Sequence, residues 1–477
     1  MGGRYLEPAN DLPVYDSCDI LIVGAGAAGH SAALGAARAN PKAKIILMER
    51  YGYFGGDVTG GYVLWVPPLN WRQHAVVRGI QEEWFTRLNR SAPHAVIGPP
   101  LEEIGKDTTI LVDRWSLIPS CTARAGDKRI VARSLYYDPQ ELKLEMDQMV
   151  EAEENIHVLI HCWGTKPIME GDKITGVIFE SKAGRQAVFA KVVIDATGDG
   201  DIYAQTGAPY FGKGSGAAGD LQRDDITALV WRVCGADYDA YARWAKANPE
   251  ASASFSKELS KRAGYRTMFF PAGPNDIVWF NNWLNGMSCI DLEDIRKTEF
   301  QVRDSVRSLL QFCKDYLPFA FKDAYLMDIA PQLGVRCSRR LDGELVMSGE
   351  NYGCAHHYDD VIGWGIAGTP APAEIPYRCM LPKKVDNLIC PGRHLSAYVD
   401  TIGQLSMIPQ CIETGQAAGV AAAVAVQDGS TAKSVDIRKV QSILCHEQDV
   451  MLPRQDNTDP AFAEELDAFL REDAQRK

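Results

Sequence analysis

The sequence predicts an α/β protein with a parallel β-sheet in a three-layer arrangement. Its main domain is assembled from separate chain segments and carries an inserted α+β domain. An apolar run at 19–23 leads into a glycine-rich turn and an alanine-rich helical stretch. A second apolar run, 44–48, ends in Glu49, and further apolar runs with glycine-rich ends lie near residues 192 and 388. Such continuous apolar runs are typical of parallel strands buried on both faces.

The composition is that of an ordinary globular protein, with 46% hydrophobic and 23% charged residues among 477. The net charge of −12 argues against nucleic acid and anionic membranes as partners. No apolar run reaches the ~20 residues of a membrane span. The 12 cysteines have neither C-x-x-C nor zinc spacing, and residues 1–10 do not resemble a signal peptide. We therefore expect reduced thiols, no metal site and a cytoplasmic location.

The first glycine-rich turn, 24–29, has the pattern G-x-G-x-x-G between a predicted strand and a predicted helix. That context makes the pattern indicative of dinucleotide binding. Gly24 permits the turn, Gly26 leaves room for a pyrophosphate, and Gly29 lets helix and strand pack closely. The helix N-terminus offers free N–H groups to the phosphates. Glu49 would accept hydrogen bonds from ribose hydroxyls and repel a 2′-phosphate.

The glycine-rich character continues after Glu49, at 55–56 and 60–61. With these residues the chain resembles the FAD-dependent oxidoreductases of the glutathione-reductase-like superfamily. Within it, the resemblance is to the family grouped with the fumarate reductase and succinate dehydrogenase flavoproteins. Asp-Ala-Thr-Gly-Asp-Gly-Asp at 195–201 and Gly-Gln-Ala-Ala-Gly at 415–419 extend the resemblance. It implies a helix whose N-terminus faces the pyrimidine edge of the flavin and stabilises the negative charge of reduced flavin.

Three separate pieces are thus expected to form one FAD site. We predict an FAD-binding domain from 1–65, 137–215 and 383–440, a substrate or cap domain from 66–136 and 216–382, and a helical tail at 441–477. The FAD is expected to be bound non-covalently. The predicted FAD contacts are Gly24, Gly26, Ala27, Ala28, Gly29, Glu49, Arg50, Gly55, Gly56, Thr59, Thr197, Gly198, Asp199, Gly392, Arg393, Gly415, Gln416 and Ala417.

A second G-x-G-x-x-G sequence, at 214–219, lacks the strand and helix of the first. We interpret it as a crossover between domains and not as a nicotinamide site. Electrons are then expected to enter and leave through the flavin. A small organic substrate would lie on one side, and the electron acceptor could be oxygen, a quinone or a protein.

Aromatic residues are abundant in the predicted cap. They would either line a pocket for a flat or sugar-like substrate or pack as ordinary core. In chain order they are Tyr62, Trp65, Trp71, Trp84, Trp115, Trp231, Trp244, Trp279, Phe280, Trp283 and Trp364.

A basic cluster at 335–341 contains three arginines and resembles the Arg-x-Ser-Arg-Arg segment of the family, with Cys337 where glutamate is usual. One arginine could hold a substrate carboxylate, or all three could be structural. Ser406 stands where the family usually has an arginine before Met-Pro, which weakens the expectation of an anionic substrate. Histidines and tyrosines near the flavin are candidates for proton transfer. The predicted catalytic residues are His394, His357, Tyr398, His356 and Arg339.

The sequence therefore predicts an FAD-dependent oxidoreductase that moves a hydride between flavin N5 and a carbon of a small organic substrate. Oxidation of a CH–OH or CH–NH group of a neutral or aromatic compound is favoured. The alternatives are ene-reduction or dehydrogenation at a CH–CH bond, a flavin monooxygenase and, more distantly, a non-enzymatic FAD-binding assembly factor. The sequence leaves a homo-oligomer open.

Overall fold

The computed structural model describes residues 5–108, 118, 121–125, 128–213, 225–272, 276–353, 356–366 and 369–476. The predicted crossover at 214–219 and Trp115 lie outside these residues. The helices are α1 Ala27–Ala39, α2 Ile80–Ser91, α3 Pro139–Glu151, α4 Tyr238–Ala247, α5 Pro249–Ala263, α6 Leu292–Tyr316, α7 Pro318–Phe321, α8 Val399–Leu405, α9 Ile408–Asp428, α10 Ile437–His446 and α11 Pro460–Arg476. The strands are β1 Val14–Val23, β2 Ile45–Glu49, β3 Trp65–Val66, β4 Asn70–Trp71, β5 His74–Ala75, β6 Val96–Ile97, β7 Thr122–Ala125, β8 Lys128–Val131, β9 Leu135–Tyr137, β10 Ile156–Ile160, β11 Trp163–Glu170, β12 Lys173–Ser181, β13 Gly184–Asp195, β14 Tyr210–Phe211, β15 Ile226–Ala228, β16 Trp231–Cys234, β17 Arg266–Pro271, β18 Ile277–Asn285, β19 Tyr325–Ile329, β20 Gly334–Cys337, β21 Arg340–Leu341, β22 Val361–Gly365, β23 Ala373–Pro376 and β24 Leu388–Ile389.

A seven-stranded sheet forms the centre of the fold, in the order β10-β2-β1-β13-β12-β11, with β24 beside β13. The pairs β10–β2, β2–β1, β1–β13 and β13–β24 are parallel. The hairpin of β11 and β12 continues the sheet antiparallel to β13. The predicted α/β class with a mostly parallel sheet is confirmed.

The central strands are buried on both faces, as their continuous apolar runs predict. On β1, Ile20 and Ile22 pack with residues of α1 and α9 in one core cluster. Leu21 and Val23 belong to a second cluster on the opposite face, with Phe179 of β12. Because neighbouring residues of a strand point to opposite faces, this alternation places apolar cover on both sides of β1.

Helices α1 and α9 cross at very close range because glycines lie at their contact. A Cβ on Gly415 would be 2.2 Å from the carbonyl oxygen of Ala28, and one on Gly419 would be 2.0 Å from that of Ala32. Gly35 has the same relation to Gln416, at 2.6 Å. The glycines of the 415–419 motif therefore fix the position of α1 beside the sheet.

Asp138 caps the N-terminus of helix α3. The Asp138 carboxylate accepts hydrogen bonds from the N–H groups of Gln140 and Glu141, at 2.8 and 3.3 Å, and Pro139 occupies the first turn. This is the usual N-terminal capping arrangement. The helix ends at Glu151.

A second, antiparallel sheet has the order β19-β16-β18-β15-β20, with β17 also paired to β18. Arg232 of β16 ties this sheet to the start of α3. Its side chain is 1% exposed and pairs with Asp138 at 2.8 Å and Asp328 at 2.6 Å.

Within the described ranges, no helix combines the length and apolarity required to cross a membrane.

The C-terminal helices cover one end of the molecule. Phe462 of α11 packs edge-on against Trp71 and Trp364, with ring centroids 5.9 and 5.7 Å apart. Glu465 pairs with Arg72 and His74. These two tryptophans of the predicted aromatic set therefore belong to packing contacts.

Candidate functional site

A cleft lies between the carboxyl ends of β1 and β2 and one face of the second sheet. Its empty volume, including open solvent at the mouth, is about 1570 Å³. The predicted FAD residues that line it are Gly24, Gly26, Ala27, Ala28, Glu49, Arg50, Gly55, Gly56, Thr197, Gly198, Gly392 and Arg393.

The turn before α1 has the geometry of a phosphate cradle. No side chain caps the N-terminus of α1, so its first N–H groups are left for another partner. A Cβ on Gly24 would be 2.6 Å from the Ala196 carbonyl oxygen, and one on Gly29 would be 1.7 Å from that of Gly24. A Cβ on Gly26 would meet only the Cα of Gly56, at 3.9 Å. Gly24 and Gly29 thus serve the chain's own packing, whereas Gly26 keeps the cleft open.

The Gly55–Gly56 loop forms the opposite side of this cradle. Both residues have positive φ angles, +104° and +53°, which favour glycine. The Gly55 N–H donates to the Ala25 carbonyl at 2.8 Å, so the loop is fixed to the first turn. Thr59 is buried outside the lining, and its hydroxyl donates to the Phe54 carbonyl.

Glu49 lines the cleft, but its carboxylate already has backbone partners. It accepts hydrogen bonds from the N–H groups of Ala25 at 2.7 Å and Tyr51 at 2.9 Å. Burial raises the pKa of Glu49. The hydrogen bond from the ribose hydroxyls to the Glu49 carboxylate therefore stays a prediction. Beside it, the Arg50 guanidinium stacks over the rings of Tyr51 and Trp163, at 4.9 and 5.6 Å from their centroids.

Arg393 occupies the third side of the cleft between two carboxylates. It pairs with Asp199 at 2.7 Å and with Asp57 at 3.5 Å. Burial opposes the charge of Arg393, but these carboxylates outweigh burial and raise its pKa. Asp199 itself is buried outside the lining and also accepts from the Ser338 hydroxyl at 2.5 Å. Asp199 therefore orients Arg393.

The start of α9 also reaches the cleft. Met407, Ile408 and Cys411 line it, whereas Gly415, Gln416 and Ala417 do not. The Gln416 side chain instead accepts from the Ile80 N–H at 3.2 Å and donates to the Gln448 side chain at 3.0 Å. These three predicted contact residues lie where α9 packs on its neighbours.

His394 is buried outside the lining, although it follows Arg393 in sequence. Its Nε2 donates to the Asp195 carbonyl at 2.9 Å, and its ring lies 5.2 Å from that of Tyr203. Burial lowers the pKa of His394. These contacts hold the end of β13 beside the Thr197–Gly198 turn.

The other predicted catalytic residues also lie outside the lining. His357 is next to Glu374, with Nδ1 2.8 Å from the carboxylate, and His356 is exposed. Tyr398 is 43% exposed and contacts the ring of Phe211. Arg339 pairs with Asp201 at 3.1 Å. None of these four side chains therefore lines the cleft.

The second sheet contributes a wall that the site prediction did not include. Trp279, Asn281 and Trp283 alternate along β18 and all line the cleft, together with Trp65 and Arg336. The sequence indicates the two tryptophans only as members of the aromatic set, and Arg336 only as a member of the basic cluster. The period-two spacing at 279–283 is the sequence signal for one shared strand face.

Comparison with known protein families gives a match that spans most of the chain. The family model for the FAD dependent oxidoreductases matches residues 19–444. No curated protein sequence matches the chain. Among solved structures, a geranylgeranyl bacteriochlorophyll reductase-like protein from Thermoplasma acidophilum is 14% identical, covering 95% of this chain and 91% of that chain with a TM-score of 0.44. The p-nitrophenol 4-monooxygenase from Pseudomonas putida is 11% identical, covering 95% of this chain and 93% of that chain with a TM-score of 0.47. The L-proline dehydrogenase from P. horikoshii is 10% identical, covering 90% of this chain and 96% of that chain with a TM-score of 0.43.

Proposed function

The chain belongs to the FAD-dependent oxidoreductase family, and we propose that it transfers a hydride between N5 of its FAD and a carbon of a small organic substrate. The observation that carries this proposal is the single cleft that joins the glycine cradle to the face of the second sheet. A cofactor and a substrate bound in this cleft can contact each other directly, because no protein segment that the structure describes separates them. When bound, FAD supplies the hydride acceptor or donor.

The chain's own residues would hold the FAD through backbone and charge. The first N–H groups of α1 suit the two phosphates, and Gly26 leaves them room. The Gly55–Gly56 loop, without side chains, would run under the flavin. The N-terminus of α9 would favour negative charge at the pyrimidine edge. No covalent link is required by these contacts, and we propose non-covalent binding.

We propose that the second sheet acts as the substrate cap. Trp279 and Trp283 give the cleft an apolar wall that can exclude water and hold a flat group. The Asn281 side chain is aimed at the same side of the strand and has no hydrogen bond to the residues that the structure describes. Oxidation of a CH–OH or CH–NH group is the favoured direction.

Asp57 is our candidate for the proton acceptor. It lines the cleft, and its carboxylate lies 3.4 Å from the Val335 N–H at the edge of the second sheet. Burial raises the pKa of Asp57, with Asp199 adding to the effect and Arg393 opposing it. A carboxylate with a raised pKa is a better general base near neutral pH. His394, outside the lining, is then a positioning residue.

The test begins with the flavin spectrum of the purified protein before and after acid precipitation. Release of flavin into the supernatant supports non-covalent binding. Anaerobic mixing with small alcohols, amines and enoates then follows. Bleaching of the flavin by an alcohol or amine supports the proposed direction. Reoxidation of reduced flavin by enoates alone would assign the alternative CH–CH chemistry, and no response in either direction would refute hydride transfer to a small molecule.

A further inference from the structure

Arg336 lines the cleft, as do Arg50 and Arg393. Its Nη2 donates to the Gly403 carbonyl at 3.1 Å. No carboxylate forms an ion pair with it among the residues that the structure describes. By contrast, Arg339 pairs with Asp201 and Arg393 with two aspartates. Arg336 therefore presents an unneutralised guanidinium to the cleft.

Among the residues that the structure describes, no carboxylate supplies a counter-charge to Arg336. Loss of hydration lowers the pKa of Arg336; Cys337 opposes this effect, and Arg266 lowers the pKa further by a smaller amount. The Arg266 guanidinium itself stacks over Trp283, 4.9 Å from the ring centroid. The Arg336 side chain is exposed, so an anion that enters the cleft can reach its guanidinium. In a chain of net charge −12, this end of the cleft is locally positive.

The sheet register sets the distance between this charge and the aromatic wall. Thr227 of β15 pairs with Leu284 of β18 on one side and with Val335 of β20 on the other. Trp283 and Arg336 lie on opposite sides of that row and two strand spacings apart, so their backbones are about 12 Å from each other. A small molecule with a ring at one end and a charge at the other spans such a distance.

Resting on the proposed function, we propose that the substrate is an organic acid whose planar group packs on Trp283 while its carboxylate is held by Arg336. The guanidinium fork matches a carboxylate with two parallel hydrogen bonds. The uncommitted Asn281 side chain can bond a hydroxyl or amine on the same molecule. This proposal replaces the sequence-based preference for a neutral substrate, which rested on Ser406.

The test uses benzoate and benzamide as probes of equal shape and different charge. Binding to the holoenzyme is measured by perturbation of flavin absorbance and, independently, by tryptophan fluorescence. The variants are R336Q, R336K and the surface control R296Q, in which a helix arginine paired with Glu293 is changed in the same way. Circular dichroism verifies that each variant is folded.

We expect benzoate to bind the unmodified enzyme about 10- to 100-fold more tightly than benzamide, the usual worth of a charged hydrogen-bonded contact. R336Q should abolish this preference without weakening benzamide, R336K should keep part of it, and R296Q should keep all of it. Equal binding of the two probes, binding of neither, or the same loss in R296Q would overturn the inference. A protein that shows the preference but whose flavin no panel compound reduces or reoxidises would contradict the proposed function alone.

Discussion

Replacing Gly26 by alanine should separate the stability of the fold from the binding of FAD. Gly26 precedes α1 with φ −65° and ψ −170°, an extended conformation that alanine adopts without strain. Its added Cβ would meet only the Gly56 Cα, at 3.9 Å. Because the substitution also restricts the unfolded chain, the apoprotein should be unchanged or about 0.4–1 kcal/mol more stable.

The same methyl group would stand where the pyrophosphate is expected. Loss of one charge-assisted hydrogen bond between an α1 N–H and a phosphate oxygen costs about 1.5–3 kcal/mol. The dissociation constant for FAD should therefore rise by about 10- to 150-fold. Urea unfolding of the apoprotein and quenching of flavin fluorescence on binding measure the two effects separately.

Gly29→Ala is the matched control for this prediction. Its Cβ would lie 1.7 Å from the Gly24 carbonyl oxygen, so the apoprotein itself should lose at least about 1–3 kcal/mol, as overpacked sites do. FAD bound by G26A as tightly as by the unmodified protein would refute the cradle. An apoprotein destabilised equally by both substitutions would refute the reasoning from close contacts.

Two further predictions concern ionisable side chains. D57N should slow anaerobic flavin reduction at least tenfold. H357A changes a residue outside the cleft lining and should leave the rate unchanged. The reverse pattern would indicate His357 as the base instead of Asp57. Burial raises the pKa of Glu413 well above its usual 4.5, so the folded state keeps a proton that the unfolded state releases. Stability should therefore fall with rising pH above that value, by up to ~1.4 kcal/mol per unit. E413Q should remove one proton's share of this slope in urea unfolding as the pH rises above 4.5, and an unchanged slope would contradict it.

The nucleotide side of the site could be predicted because its signals are local. A buried strand, a glycine turn and a helix follow one another within 19–39, and their chain order alone brings Gly24 and Gly26 to the end of the strand. The 415–419 motif was also recognisable, but its exact contacts were not. Gly415 lies about two helical turns, ~10 Å, beyond Ile408, so it faces α1 while the first turn of α9 faces the cleft.

The substrate side could not be predicted in the same way, because it depends on pairing between distant strands. The alternation of Trp279, Asn281 and Trp283 indicates a strand with one aromatic face, but nothing local tells which element that face opposes. The sequence indicates His394 as a catalytic candidate only because it follows Arg393. The chain turns at Gly392, where φ is +90°, and the imidazole points to the Asp195 carbonyl instead of the cleft.

The most direct test of the central claim is single-turnover flavin reduction with a substrate deuterated at the reacting carbon. The substrate is the panel compound that bleaches the flavin, and oxygen is excluded. Hydride transfer from carbon to flavin predicts that the deuterated compound reduces the flavin several-fold more slowly. The comparison is made with the substrate at saturation and with the flavin reduced in a single phase. Equal rates for the two compounds would then contradict hydride transfer limited by breaking of the C–H bond in this cleft.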